Sequence, residues 1–155
     1  MIRDVVYANQ KSIGYGEIYV ADSALEQSIP TGAGFTKVTL FGVNGQTKRC
    51  DSDHANDKIT LNKNGRYFAS GSFSMASDTD SVTVTGSAFL AATAQNNICF
   101  KKTFGTKTFF CTAGFAGIIN VSSAPQDIDF RVTHSAGGAV NLTLAYGNLN
   151  AQFIE

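Results

Sequence analysis

The sequence predicts an all-β protein, a sandwich or barrel of antiparallel strands. Three observations predict it. Short runs of alternating apolar and polar residues, about eight to ten in all, recur at regular intervals with Gly, Asn and Pro between them. No stretch carries apolar residues at the helical period. Charged residues make up only 15% of the 155, against about 25% in an average protein, while twelve Phe and five Tyr supply large apolar groups.

Taken in order, residues Met1 to Gly14 are polar, with Val5, Val6, Tyr7 and Ile13 scattered through them, and read as an N-terminal arm before one domain over residues 15 to 155. The run Y-G-E-I-Y-V-A from Tyr15 alternates and forms a first strand, ended by the polar D-S-A-L-E-Q-S. Ser28 to Gly34 is a turn-rich connector. Phe35 to Val43 is dense in β-branched and aromatic residues and predicts the second strand, ending at the hairpin-type dipeptide Asn44-Gly45. Gln46 to Asp57 reads as a loop or a weak edge strand.

Ile59 and Leu61 then alternate with polar neighbours, Asn64-Gly65 makes a tight turn, and Tyr67, Ala69, Gly71, Phe73 and Met75 share one strand face while Ser70, Ser72 and Ser74 share the other. Gly71 inside that strand implies a close approach. After a turn at Asp78 to Asp80, S-V-T-V-T-G-S-A-F-L-A predicts a strand broken or bulged at Gly86. Ala94 to Asn97 reads as a turn, Ile98 to Phe104 and Lys107 to Cys111 as strands, and Ala113 to Val121 as a strand apolar on both faces, which must be covered on both. Ile128, Phe130 and Val132, and after Gly137-Gly138 Val140, Leu142, Leu144 and Tyr146, give two closing strands expected to form a hairpin or to pair. Asn141, Thr143 and Ala145 on the other face of the last strand are small and neutral, which suggests that this face too is covered.

Twelve basic and twelve acidic residues balance to zero, so the chain carries no electrostatic footprint for nucleic acid or an anionic membrane. No apolar run has signal-peptide or membrane-span length. The three cysteines, Cys50, Cys99 and Cys111, are at unrelated spacings and read as reduced thiols of a protein made in a reducing cytosol; a Cys99–Cys111 bridge across adjacent strands is the alternative.

Candidate chemistry is sparse. Asp51, Asp53, His54 and Asp57 place four ligand types in seven residues, but without the glycine and terminal glutamate of a calcium loop they read as a polar loop, as do Asp78 and Asp80. His54 and His134 lack a nucleophile elbow, since Gly71-Ser72-Phe73-Ser74-Met75 ends in Met75. The three Glu, at positions 17, 26 and 155, offer no carboxylate pair for glycoside hydrolysis. The expectation is a protein that is not an enzyme and that uses no cofactor or metal. Tyr7 and Tyr15 are the aromatic residues least accounted for by a core.

The succession K-I-T-L-N-K-N-G-R-Y-F-A-S-G-S-F-S, G-F-A-G-I-I-N-V, D-I-D-F-R-V and N-L-T-L-A-Y-G-N-L-N-A-Q-F-I resembles the jelly-roll domain of the tumour necrosis factor (TNF) and complement globular-head superfamily. The matching features are Gly65, Arg66 and Tyr67 opening a strand, Asp127 in a polar turn, and Asn148-Leu149 in the last strand. The resemblance implies a TNF-like antiparallel jelly-roll β-sandwich that forms a homotrimer, with Phe115, Ile119, Asn141, Thr143 and Ala145 at the trimer interface. Among such domains the chain looks most like a bacteriophage capsid decoration (cement) protein. That implies a virion location on the capsid surface, synthesis in the host cytoplasm, and the major capsid protein as partner, held by the arm residues Val5, Val6, Tyr7 and Ile13. The alternative is a trimeric fibre or tail-spike head that recognises a host-surface glycan or protein through Arg49 to Asp57 and Ser77 to Ser81. A secreted lectin-like or cytokine-like domain is a third reading.

Overall fold

The computed structural model describes residues 13–32 and 34–155. Among these, twelve strands run in the order β1 Tyr15–Val20, β2 Glu26–Ile29, β3 Thr36–Lys37, β4 Val43–Asn44, β5 Cys50–Asp53, β6 Lys58–Leu61, β7 Gly65–Ser77, β8 Thr83–Leu90, β9 Thr93–Thr103, β10 Cys111–Val121, β11 Gln126–His134 and β12 Val140–Phe153. One 3-10 turn, His54–Asn56, joins β5 to β6. They form two six-stranded antiparallel sheets. Sheet I has the order β10-β7-β12-β1-β4, with β2 also on β12; sheet II has the order β5-β6-β11-β8-β9, with β3 also on β11.

The alternation in β7 makes the sandwich. Tyr67, Ala69, Gly71, Phe73 and Met75 point into the core, and Phe68, Ser70, Ser72 and Ser74 point out. From sheet II, β11 sends Ile128, Phe130 and Val132 inward. Where the two sheets meet, the Phe73 ring stacks on Phe130 with centroids 4.2 Å apart, and Phe100 and Phe115 close around the pair. Glycines make room for these rings. A Cβ on Gly71 would stand 2.8 Å from both Phe73 and Phe115, and one on Gly86 2.5 Å from Phe100, so neither position admits a side chain without moving an aromatic ring. Gly86 therefore answers to core packing. The bulge expected there lies just beyond it, between Ser87 and Phe89.

The closing strands are not partners. β11 belongs to sheet II and pairs with β8, β6 and β3, whereas β12 crosses to sheet I and lies at its centre, between β7 on one edge and β1 and β2 on the other. The apolar faces of the two strands meet through the core and not through a ladder. A bulge between Leu144 and Tyr146 turns Tyr146 to the outside, although simple alternation groups it with Leu142 and Leu144.

Four other segments depart from the expected strands. Phe35 to Val43 is not one strand: it passes from sheet II to sheet I, pairing only at Thr36–Lys37 and Val43–Asn44. Between them Val38, Leu40 and Phe41 are buried, and the backbone bonds a ladder would make come partly from side chains, Gln27 Oε1 to Thr39 N–H at 2.8 Å and Asp57 Oδ1 to Phe41 N–H at 3.2 Å. The polar E-Q-S-I of β2 is a strand because β12 offers it an edge. Ala94 to Asn97 lies within β9, the reversal falling at Ala91 and Ala92, both at positive φ. Lys107 to Phe110 is a turn, and β10 begins at Cys111.

At the seam between the sheets, Asn97 of β9 donates to the Ile118 carbonyl at 3.2 Å, and so covers part of the β10 edge. The three cysteines are free thiols: Cys99 lies opposite Ser87 in sheet II and Cys111 opposite Met75 in sheet I, so the alternative bridge is not formed. The arm residues Val5, Val6 and Tyr7 lie outside the described residues. Gly14 is already tied to the sandwich, its carbonyl accepting from Phe153 N–H at 2.7 Å.

Candidate functional site

The outer face of sheet I is the feature that solvent does not explain. The registers lay its outward side chains in rows across the strands. Ile118, Phe68, Gln152 and Tyr15 form one row; Ala116, Ser70, Asn150 and Glu17 the next; Gly114, Ser72, Asn148, Tyr19 and Val43 the third; and Thr112, Ser74 and Tyr146 the fourth. Glu17 is the one charged side chain in these rows. Ile118 and Phe68 are 49% and 42% exposed, and Ile13 and Ile154 lie exposed just beyond them. Small hydroxyl and amide residues fill the middle. Such a face lacks the lysines and glutamates that ordinarily solvate a sheet, and contiguous exposed apolar groups with a polar surround mark an interaction surface.

Two depressions lie on this face. One of about 610 Å³ is bounded by Tyr19 and Tyr146, with Ser72, Ser74, Gly147 and Asn148 beneath them. The other, about 530 Å³, runs between Tyr15, Phe68 and Gln152. Glu17 borders both, and Asn148 Nδ2 stands 3.5 Å from its Oε1.

Of the residues read as interface, Asn141, Thr143 and Ala145 are outward and half-buried on β12, with Thr143 flanked by Ala76 and Glu26. Phe115 and Ile119 point the other way, into the core, with Phe115 against Phe73 and Phe130. Their neighbours Ala116 and Ile118 point outward. The parity was readable in A-G-F-A-G-I-I-N-V once Phe115 is taken as inward. Ile118, Phe68, Tyr19 and Tyr146 are the members of this face that the sequence reading did not single out.

The acidic loop has structural duties. Asp53 caps the 3-10 turn, accepting from Asn56 N–H at 3.2 Å and from its amide at 2.8 Å. Asp51 holds Asn62, and the Asn44 side chain accepts from His54 N–H. Burial raises the Asp57 carboxyl above its ordinary range, against the lowering pull of the Phe41 N–H bond. Among the described residues no three His, Cys, Asp or Glu come together as metal ligands. Asp78 and Asp80 hold the Asn141 and Lys107 backbones, so the two loops of the alternative reading are tied to different parts of the fold. His134 locks a turn: Nδ1 accepts from Ala136 N–H at 3.2 Å, which leaves Nε2–H to donate to the Ile29 carbonyl at 2.9 Å. Asp127, in β11 and not in a turn, binds Lys58 at 2.9 Å and Thr60 at 2.6 Å. Among the described residues no helix is long and apolar enough to cross a membrane.

The sheet order and this pattern of faces define a TNF-like jelly-roll β-sandwich. No family model matches the sequence, and no curated protein matches it. Solved structures do. The globular domain of a zebrafish complement 1qA protein aligns over 92% of this chain and 97% of its own, at 12% identity and a TM-score of 0.63. The Eiger TNF of S. frugiperda aligns over 92% and 93%, at 9% identity and a TM-score of 0.57. A chain in the structure of infectious bursal disease virus Gt strain aligns at 12% identity and a TM-score of 0.58; the match takes in 92% of this chain but only 33% of the viral one. At such identities the likeness is one of fold.

Proposed function

We propose that the chain is a non-enzymatic structural protein of a virus particle, a homotrimeric decoration protein that binds a phage capsid and stabilises it. The observation that carries the self-association is the outer face of sheet I, with its charge-poor middle rows and its apolar Ile118, Phe68 and Tyr15. Covering that face removes apolar area from water at about 25 cal/mol per Å² and strands few charges in its middle rows. The likeness of fold to a chain of infectious bursal disease virus supports the virion setting, as does a neutral, charge-poor composition suited to surfaces that meet other protein.

In this reading the arm, with Val5, Val6, Tyr7 and Ile13, grips the major capsid protein. The experiment pairs sedimentation of the pure chain with binding to capsid shells of the virus that encodes it. The full chain should sediment as a trimer and label the shell surface. A chain starting at Gly14, which keeps the Gly14 bond to Phe153, should remain trimeric and lose the shell. A monomer, or full shell binding by the shortened chain, overturns the corresponding half of the proposal.

A further inference from the structure

Glu17 stands in the middle of the outer face of sheet I, borders both depressions, and is half-buried even in the single chain. Its surroundings are neutral. Asn150, Ser70 and Ala116 complete its row, Oε1 meets the Asn148 amide only at 3.5 Å, and Oε2 lies over Gly45, where a Cβ would stand 2.5 Å away. Among the described residues no cation pairs with it. The other charged groups of this sheet lie at its margins. Arg66 pairs with Glu155, Lys48 lies opposite Tyr15 and Arg49 beside Gly14, while the acids Asp22 and Glu26 stand by Tyr146 and Thr143.

We propose that Glu17 makes the association of chains pH-dependent: covering the face takes up a proton at this carboxyl, so acid tightens the trimer and a rise toward neutral pH loosens it. The inference rests on the homotrimer proposed above and adds what regulates it. Because the copies are identical, any counter-charge for Glu17 must come from this same sequence. The middle rows of the face hold none. Neither does the edge strand of sheet I, Cys111–Val121, nor the stretch of β9 that bonds to it, residues 93 to 100.

A carboxylate carried from water onto such a surface loses hydration and gains no opposite charge, so the neutral acid becomes the favoured form. Association then binds protons. Its constant is largest in acid and falls as the pH rises, the reverse of what a carboxylate paired with a neighbour's ammonium would produce.

The test is a dilution series in the ultracentrifuge for the full wild-type chain and for Glu17→Gln, each at about pH 7.5 and at about pH 5, above the range where ordinary carboxylates are fully protonated. Glutamine keeps the shape and removes the charge. The wild type should associate about tenfold or more tightly at the lower pH, and Glu17→Gln should associate at both as the wild type does in acid. Circular dichroism checks the fold. A wild-type trimer equally tight at the two pH values, or a Glu17→Gln trimer with the wild-type response, overturns the inference and leaves the trimer standing. So does a Glu17→Gln trimer weaker than that of the wild type, the result that a cation supplied by a neighbouring chain requires. Chains that stay monomeric at both pH values, with and without the substitution, overturn the trimer itself. Should Glu17→Gln misfold, Glu17→Ala removes the same charge and decides by the same outcomes.

Discussion

Phe73 and Phe130, one from each sheet, stack face to face with centroids 4.2 Å apart and planes 9° from parallel. Both side chains are essentially inaccessible to water, and the rings of Phe100 and Phe115 pack around them. Replacing either by Ala removes a ring and leaves a cavity that flanking strands, fixed by their ladders, fill poorly. The expected loss is about 3–5 kcal/mol, read as a lower urea midpoint with little change in slope. A loss below about 1 kcal/mol would show that this stack is not the joint of the sandwich.

Thr143→Arg or Ala145→Arg should leave the fold intact and break the proposed trimer. Both side chains point outward, while Leu142 and Leu144 on either side of Thr143 point into the core. A guanidinium on this face either stays solvated, which keeps a second chain away, or is buried without a partner. Sedimentation reads the first effect and thermal unfolding monitored by circular dichroism the control. A variant that stays associated at full stability would remove this part of β12 from the interface.

Acid should loosen the junction of β6 and β11. Burial pushes the Asp127 carboxyl up, but the Thr60 hydroxyl and the Lys58 ammonium outweigh it, and the net direction is below the ordinary carboxylate range. The stability a lowered carboxyl contributes is fully present above the unfolded value, about pH 3.9, and is lost as the pH falls through the folded one. The pair is partly exposed, so the effect is modest and screened by salt. Asp127→Asn should therefore lower stability modestly near neutrality and change little well below about pH 4, where the wild-type carboxyl is itself protonated, so that the acid limb of the stability-against-pH profile is flatter. An unchanged acid limb counts against this assignment.

The thiols should separate by reactivity. Burial, helped by Asp51, pushes the Cys50 thiol up to about 11, and its side chain is closed off from solvent, whereas Cys99 is exposed on β9. With a disulfide reagent at pH 8, Cys99 should react in the folded protein and Cys50 only after denaturation. Fast labelling of Cys50 in the native state would mean that the β1–β5 contact opens readily.

Much of the fold was legible because alternation in β7, β11 and β12 reports faces directly: Tyr67, Phe73, Phe130 and Leu142 are inward as their spacing requires. Pairing was not legible, because a ladder depends on which distant strand lies alongside, and β11 and β12, neighbours in sequence, fell in opposite sheets. Residues 38 to 42 read as strand because a buried crossing needs the same apolar residues as a buried strand; the difference lies in Gln27 and Asp57, whose side chains replace the ladder. The candidate face was half legible. Asn141, Thr143 and Ala145 stood out as too small and neutral for solvent, but Tyr146 reached the face only through a bulge that leaves no mark in the alternation.

The central place of β12 has a consequence for how the protein is made. Sheet I cannot close until residues 140 to 153 arrive, since β7 on one side and β1 and β2 on the other are joined only through that strand. The sandwich therefore cannot assemble until residues 140 to 153 have been made and are free to pair. Messages cut short before these codons yield chains whose β1, β2 and β7 are left with open edges, the state most exposed to aggregation and proteolysis.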